Sequence, residues 1–257
     1  VLDGEAGRFT IGPLSEVVAV GHRWSDLAQH LEPVPVATFI AHERAIRGER
    51  IEPETIDHLP PVLDIPPAIQ AWEPDYPCST YTAEGAEHPE PPASGQLIDI
   101  EPDAHPEVVD DDSTALAVQQ LVDAWTTTST GRAESVCVEG DHTAALGALG
   151  VRQARAVEIP SAEGIAALAW AGASGGAHGR RRGMAIGRFS AWWLLGAIGD
   201  LHDHWPPRTG DIEGVLTDLR WYRWDAYEPP GGWRLQLLIE DDAEGLAWAI
   251  NASDDDA

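Results

Sequence analysis

Residues 135–163 read SVCVEGDHTAALGALGVRQARAVEIPSAE. Ser135–Val138 is a short apolar run and predicts a buried strand. Asp141 stands where a helix N-cap belongs, ahead of an alanine- and leucine-rich stretch ending at Leu149. Ala154–Ile159 predicts a second strand, and Ser161 with Glu163 in the first turn predicts a cap for the next helix. Strand, helix, strand, helix within about 40 residues is the pattern of a βαβ unit with a parallel pair. The expected fold class is α/β, with mixed α+β as the alternative.

Toward the C-terminus, a long glycine-rich helix is expected from about Gly179 to Leu201, closed by Pro206-Pro207. Ile212–Leu219 predicts a short helix. Leu219–Asp225 and Trp233–Glu240 alternate like strands and are joined by Pro229-Pro230-Gly231-Gly232, so they predict an antiparallel hairpin. Trp233, Leu235, Leu237 and Ile239 share one face, and Arg234, Gln236 and Glu240 the other. Trp221 and Trp224 have opposite parity, so one is exposed or the strand bulges. A final helix is expected over Ala243–Ala252, and Asp254-Asp255-Asp256 reads as a solvated tail.

Toward the N-terminus, Asp112 or Ser113 is expected to cap a helix running to about Thr128. Its apolar positions are Leu116, Val118, Leu121, Val122 and Trp125. Eleven prolines fall between residues 60 and 106. Proline fixes φ and removes a donor, so no long helix or central strand fits there. Residues 61–106 therefore read as a linker or long irregular loop, with one short strand at Leu97–Ile100. Residues 1–60 form a small helical N-terminal region. It holds one helix over residues 14–31, ended by Pro33, and another over Val36–Arg47 burying Phe39, Ile40 and Ile46. A domain boundary near residue 107 leaves 107–257 as the α/β C-terminal domain.

The chain sets 43 acidic side chains against 16 basic ones, a formal charge of -27. Polyanions are repelled by such a field, which argues against nucleic acid and anionic membrane surfaces. Every basic residue is arginine. GC-rich coding is the simpler account, an acidic halophile the second. Val1-Leu2-Asp3-Gly4-Glu5 has no basic n-region and no apolar h-region, so no secretory signal is expected. Cys78 and Cys137 lack metal spacing and read as two free thiols of a cytoplasmic protein.

One stretch breaks the acidic pattern: Gly164 to Gly199 contains no Asp or Glu. Within it lie Arg180, Arg181, Arg182 and Arg188, and Gly175, Gly179, Gly183 and Gly187 at four-residue spacing. Residues four apart share a helix face, and a glycine face lets another backbone approach closely. Three readings follow. The first is a tightly packed helix. The second is an anion site made by backbone N–H groups with His178, Arg180, Arg181, Arg182 and Arg188. The third is pairing of these arginines with the protein's own carboxylates, which leaves no ligand site.

Gly172-Ala173-Ser174-Gly175-Gly176 matches G-x-S-x-G, but a nucleophile elbow needs a strand before the serine and the preceding residues are helical. Asp200, His202 and His204 form the best metal candidate, because imidazole and carboxylate are standard ligands. The competing reading is an exposed helix end, where histidines meet the negative dipole. Seven of the eleven tryptophans lie between Trp192 and Trp248, and core filling is their favoured role.

The segments Ala171–Gly183 (AGASGGAHGRRRG) and Leu219–Asp225 (LRWYRWD) resemble parts of actinobacterial proteins whose domain is of unknown function. The resemblance covers about the C-terminal 140 residues and implies no reaction, ligand or catalytic residue. The leading functional expectation is a non-catalytic cytoplasmic protein with an anion or partner contact surface at Gly175–Arg188 and no cofactor. The alternative is a metal-dependent hydrolase using Asp200, His202 and His204 with a divalent metal.

Overall fold

The computed structural model describes residues 13–229 and 231–255. The expectations resting on Val1–Glu5, Pro230 and Asp256 lie outside the described residues.

Strands form where the sequence alternates. They are β1 (Thr80–Tyr81), β2 (Ala86–Glu87), β3 (Ile98–Ile100), β4 (Glu107–Val109), β5 (Arg132–Glu139), β6 (Ala154–Ile159), β7 (Leu219–Asp225), β8 (Trp233–Asp241) and β9 (Leu246–Asp254). The helices are α1 (Leu14–Gly21), α2 (Trp24–Leu27), α3 (Pro35–Ile46), α4 (Asp112–Leu121), α5 (Asp123–Thr127), α6 (His142–Ala148), α7 (Ser161–Ala173), α8 (Met184–Ile198) and α9 (Thr209–Asp218). β1 and β2 form a small hairpin, and the other seven strands form one sheet in the order β3-β6-β7-β8-β9-β5-β4. Every neighbouring pair is antiparallel. The architecture is mixed α+β.

The strand–helix–strand order around α6 is as expected, but β5 and β6 are not a parallel pair. They run the same way with β7, β8 and β9 between them. Local pattern orders elements along the chain; it does not say which strands pair. The meander from β7 to β9 supplies antiparallel partners on both sides, and those fill the gap.

Both faces of the sheet are covered. Trp221, Leu235, Leu237, Ile239, Trp248 and Ile250 point into the main core beneath α7 and α8. Tyr222, Trp224, Leu238, Ala247 and Ala249 point the other way, against Ala144, Ala145 and Leu146 of α6. Period-2 alternation therefore buries Trp221 and Trp224 together, at 1% and 2% exposure, and neither is exposed as expected.

The C-terminal helix expected over Ala243–Ala252 is a strand. Alanine is the strongest helix former, but intrinsic propensity is a small term that tertiary pairing overrides. β9 is bonded on both sides, to β8 and β5. Its alanines let α6 sit close to one face while Trp248 and Ile250 fill the other. Asp254 is not a solvated tail residue: it is 1% exposed, and its carboxylate accepts from Ala177 N at 2.6 Å and Thr130 Oγ1 at 3.2 Å.

The helix expected from Gly179 starts only at Met184. Gly176 and Gly183 have φ of 70° and 99°, and Gly175, Gly179 and Gly183 lie in a tight loop instead. A Cβ on Gly179 would lie 2.2 Å from the Gly175 carbonyl oxygen. Gly187 alone of the four sits in a helix, where it meets α7. The helix expected over residues 14–31 breaks at His22 and Arg23, both extended, so that Trp24 turns inward to donate from Nε1 to Thr55 Oγ1. Two caps shift. Asp111, not Asp112 or Ser113, caps α4, and Ser161 is the first residue of α7 with no capping bond before it. Asp141 caps α6 as expected. The proline-rich segment delivers Ile65 and Tyr76 to the main core and sets Trp72 against Trp192, ring centroids 4.9 Å apart.

Candidate functional site

The acid-free stretch meets its carboxylates in three dimensions. Arg181 grips Glu16 of α1 through two bonds, Nε to Oε2 at 2.8 Å and Nη2 to Oε1 at 3.0 Å. Tyr81 donates to the same carboxylate at 2.5 Å. Burial alone would raise the Glu16 pKa, but the Arg181 bond and charge outweigh it and hold it below the ordinary value. Beside it, Glu43 of α3 is fully buried. One oxygen takes Arg47 at 2.5 Å, and the other accepts Ala185 N at 2.7 Å. Gly183 has no side chain to cap α8, so Glu43 supplies the missing acceptor from another helix. Burial, then the neighbouring Glu16 charge, pushes Glu43 up to about 7.

Arg188 is 0% exposed. All of its donors are used. Two go to Glu73, both at 2.6 Å; two go to the Pro66 and Ala68 carbonyls at 2.7 and 3.2 Å; the last faces His42 Nδ1 at 3.5 Å. Tyr76 donates to Glu73 at 2.5 Å. Here the guanidinium ties α8 to the proline-rich segment. His42 must present a lone pair to Arg188, so it is neutral; burial, then the Arg188 charge, lowers its pKa to about 3.

That shift sets a pH dependence. The unfolded imidazole takes its proton near 6.5, and the folded one resists it until about 3. The unfolded state therefore binds more protons below 6.5, so stability falls as pH falls through this window. A His42→Gln variant is expected to lose less melting temperature between pH 7 and pH 5 than the parent protein. Parallel melting curves over that range would refute the assignment.

The remaining island cations are placed differently. His178 and Arg180 are exposed, and His178 contributes only its backbone N–H, to Ser129. Arg182 is half-buried. Its Nη1 donates to the Gln120 and Leu121 carbonyls at 3.2 and 3.3 Å, the negative end of α4. No carboxylate pairs with it among the described residues. Burial lowers its pKa, with Asp123 opposing. Arg182 stands at the mouth of a cleft of about 370 Å³ between α4 and α8, with Leu121, Phe189, Ser190 and Trp193 on the walls. His202 stacks on Trp193 at 4.0 Å and donates from Nε2 to its carbonyl at 3.0 Å.

Thus the five cations named from sequence do not form one site. Two face inward, two are exposed and one lines a cleft. The buried carboxylates Glu16, Glu43 and Glu73 escaped sequence reading. One signal was available: His42 and Glu43 sit among Ala37, Ile40, Ala41 and Ala45 on the buried side of α3. Two ionisable side chains on that side require hydrogen-bond or charge partners.

Ser174 closes α7, takes the Trp125 indole N–H at 2.6 Å and is 1% exposed, which leaves no room for attack on a substrate. Asp200 and His204 are exposed, and His202 packs on Trp193. Among the described residues no three His, Cys, Asp or Glu side chains gather around a point that would hold an ion. Cys78 and Cys137 are unpaired thiols. No described helix is long and apolar enough to cross a membrane.

A family model described as "Family of unknown function (DUF6183)" matches residues 1–256. The match takes in the N-terminal helices, well beyond the C-terminal part where the resemblance was read. No curated protein and no solved structure matches the chain.

Proposed function

The chain belongs to a family of unknown function (DUF6183), and from that premise we propose that it is a non-catalytic cytoplasmic protein that binds a small anion at the cleft beside Arg182. The observation that carries this reading is the state of Arg182. Arg181 and Arg188 are consumed by internal carboxylates. Arg182 keeps Nε and Nη2 without acceptors among the described residues and lines a cleft with apolar walls that Gln120 and Asp123 also border. A guanidinium with free donors beside aromatic walls suits a carboxylate or phosphate on a small apolar body. The anion or partner contact surface expected at Gly175–Arg188 narrows on this reading to Arg182, with exposed His178 and Arg180 as its rim. The charge of -27 disfavours a nucleic-acid partner, and two unpaired thiols fit a reducing compartment.

The test is thermal. Phosphate, or a small carboxylate, is compared with sodium chloride at equal ionic strength, because salt alone screens so acidic a chain. At about 100-fold excess over Kd, a specific anion raises stability by about 2.7 kcal/mol. For a chain of this size that is roughly 5–10 °C. Arg182→Met should abolish the difference between the anions, on top of a lower melting temperature in chloride from the loss of its bonds to the Gln120 and Leu121 carbonyls. Equal melting in every anion would end the proposal.

A further inference from the structure

We infer that a second cleft, on the α7 side of the sheet, binds a small organic monocarboxylate with an apolar body. The cleft has a volume of about 510 Å³. Sequence builds it in three parts. The floor is the end of strands β6, β7 and β8, where Arg155 faces Asp225 across the register and Arg223 faces Leu237. One wall is α7, which presents Glu163, Ala167 and Trp170 at i, i+4 and i+7, a single helix face. The cover is Pro91–Ala93 from the proline-rich segment.

Two ion pairs line the cleft, and Arg223 is the one guanidinium there that belongs to neither. Arg155 holds Asp225 through two bonds, at 3.0 and 2.7 Å. Arg234 holds Glu228 at 3.0 Å. Glu163 accepts Ser94 N at 2.9 Å. Arg223 has no carboxylate partner within bonding distance among the described residues; its Nη2 reaches only the Ser94 carbonyl, and its Nε is buried with no acceptor. Trp170, 6% exposed, lines the same cleft, and its indole N–H is also buried without an acceptor. Buried donors left unpaired cost roughly 1–3 kcal/mol each, so two in one cleft select for an acceptor-bearing guest.

The guest's charge follows from the surroundings. Four carboxylates and three guanidinium groups line the cleft. The lining is net negative by one charge, so it repels a phosphate dianion about twice as strongly as a monoanion. A monocarboxylate supplies the single counter-charge that Arg223 lacks and acceptors for both N–H groups. Ile159, Ala167, Leu235 and Leu237 then receive its apolar body. Stacking of Trp170 on Trp233, centroids 5.1 Å apart, fixes the indole before the guest arrives.

Benzoate is the probe, and benzyl alcohol its neutral counterpart, both titrated into the full chain. The signal is the Trp170 indole N–H resonance, identified by its loss in Trp170→Phe. Benzoate should move that resonance and saturate, and benzyl alcohol should bind more weakly. Arg223→Met should weaken benzoate binding about tenfold or more, whereas Arg182→Met should not alter it, which separates this cleft from the one beside Arg182. Should Arg223→Met fail to fold, Trp170→Phe keeps an aromatic, though smaller, ring and removes the donor. Its benzoate affinity, read by saturation transfer to the ligand, should fall about two- to tenfold. A stationary Trp170 resonance overturns the proposal. So do equal binding of the alcohol and full affinity in both variants.

Discussion

Arg188→Met is expected to lower stability by about 3–5 kcal/mol, the usual result of removing one partner of a buried ion pair. In a chain of this length that is a fall in melting temperature of roughly 6–20 °C. The cost arises from what is left behind. Glu73 would keep Tyr76 and the Gln70 N–H but lose both guanidinium bonds while remaining buried. The Pro66 and Ala68 carbonyls would lose their donors too. Removing both charges, in Arg188→Met with Glu73→Gln, should recover a large part of the loss, because no uncompensated carboxylate remains. Arg220→Ala is the comparison. Arg220 pairs with Glu158 at the surface, at 43% and 59% side-chain exposure, and its loss should cost about 1 kcal/mol or less. Calorimetry on the four proteins decides the matter; similar melting temperatures for Arg188→Met and Arg220→Ala would contradict the assigned role.

Gly187→Ala is expected to destabilise by about 2–3 kcal/mol, although alanine is the better helix former by about 1 kcal/mol. A Cβ at this position would lie 2.0 Å from the Ala169 carbonyl oxygen of α7 and 2.9 Å from the Ala173 Cβ. The obstacle is backbone, so α7 and α8 would have to separate. Gly214 in α9 provides the opposite sign: nothing lies within 4 Å of its added Cβ, and Gly214→Ala should stabilise by about 1 kcal/mol. The pair of variants tests close helix approach directly. Stabilisation by both would mean that α7 and α8 are not in the contact described.

Much of the secondary structure was legible because its signals are local. The alternation in Ala154–Ile159 and Leu219–Asp225 placed both strands on their observed bounds, and Asp141 announced its helix. The failures share one cause, which is information carried by distant residues. Ala247, Ala249 and Ala252 look helical until β5 and β8 flank them. Trp221 and Trp224 conflict only if the sheet has one dry face. The site was less legible. An acid-free stretch with four arginines correctly marked an unusual place, but only Glu16 and Glu73, at sequence distances of 165 and 115 residues, reveal that Arg181 and Arg188 face inward. Arg223 and Trp170 carried no signal at all, since an unpaired donor is defined by what fails to surround it.

The position of β9 has a consequence for synthesis on the ribosome. β5 emerges early, and its long register is with residues 246–253. Between the two lie β6, β7 and β8, which can zip together as they appear. The nascent chain thus carries a β3-β6-β7-β8 half-sheet and a β4–β5 pair, each with one edge awaiting β9, until β9 slots between them. At roughly 5–20 residues per second the wait is on the order of 5–20 s. β4 and α6, packed on β5, are what can shield it meanwhile, and the dense negative charge keeps waiting chains apart.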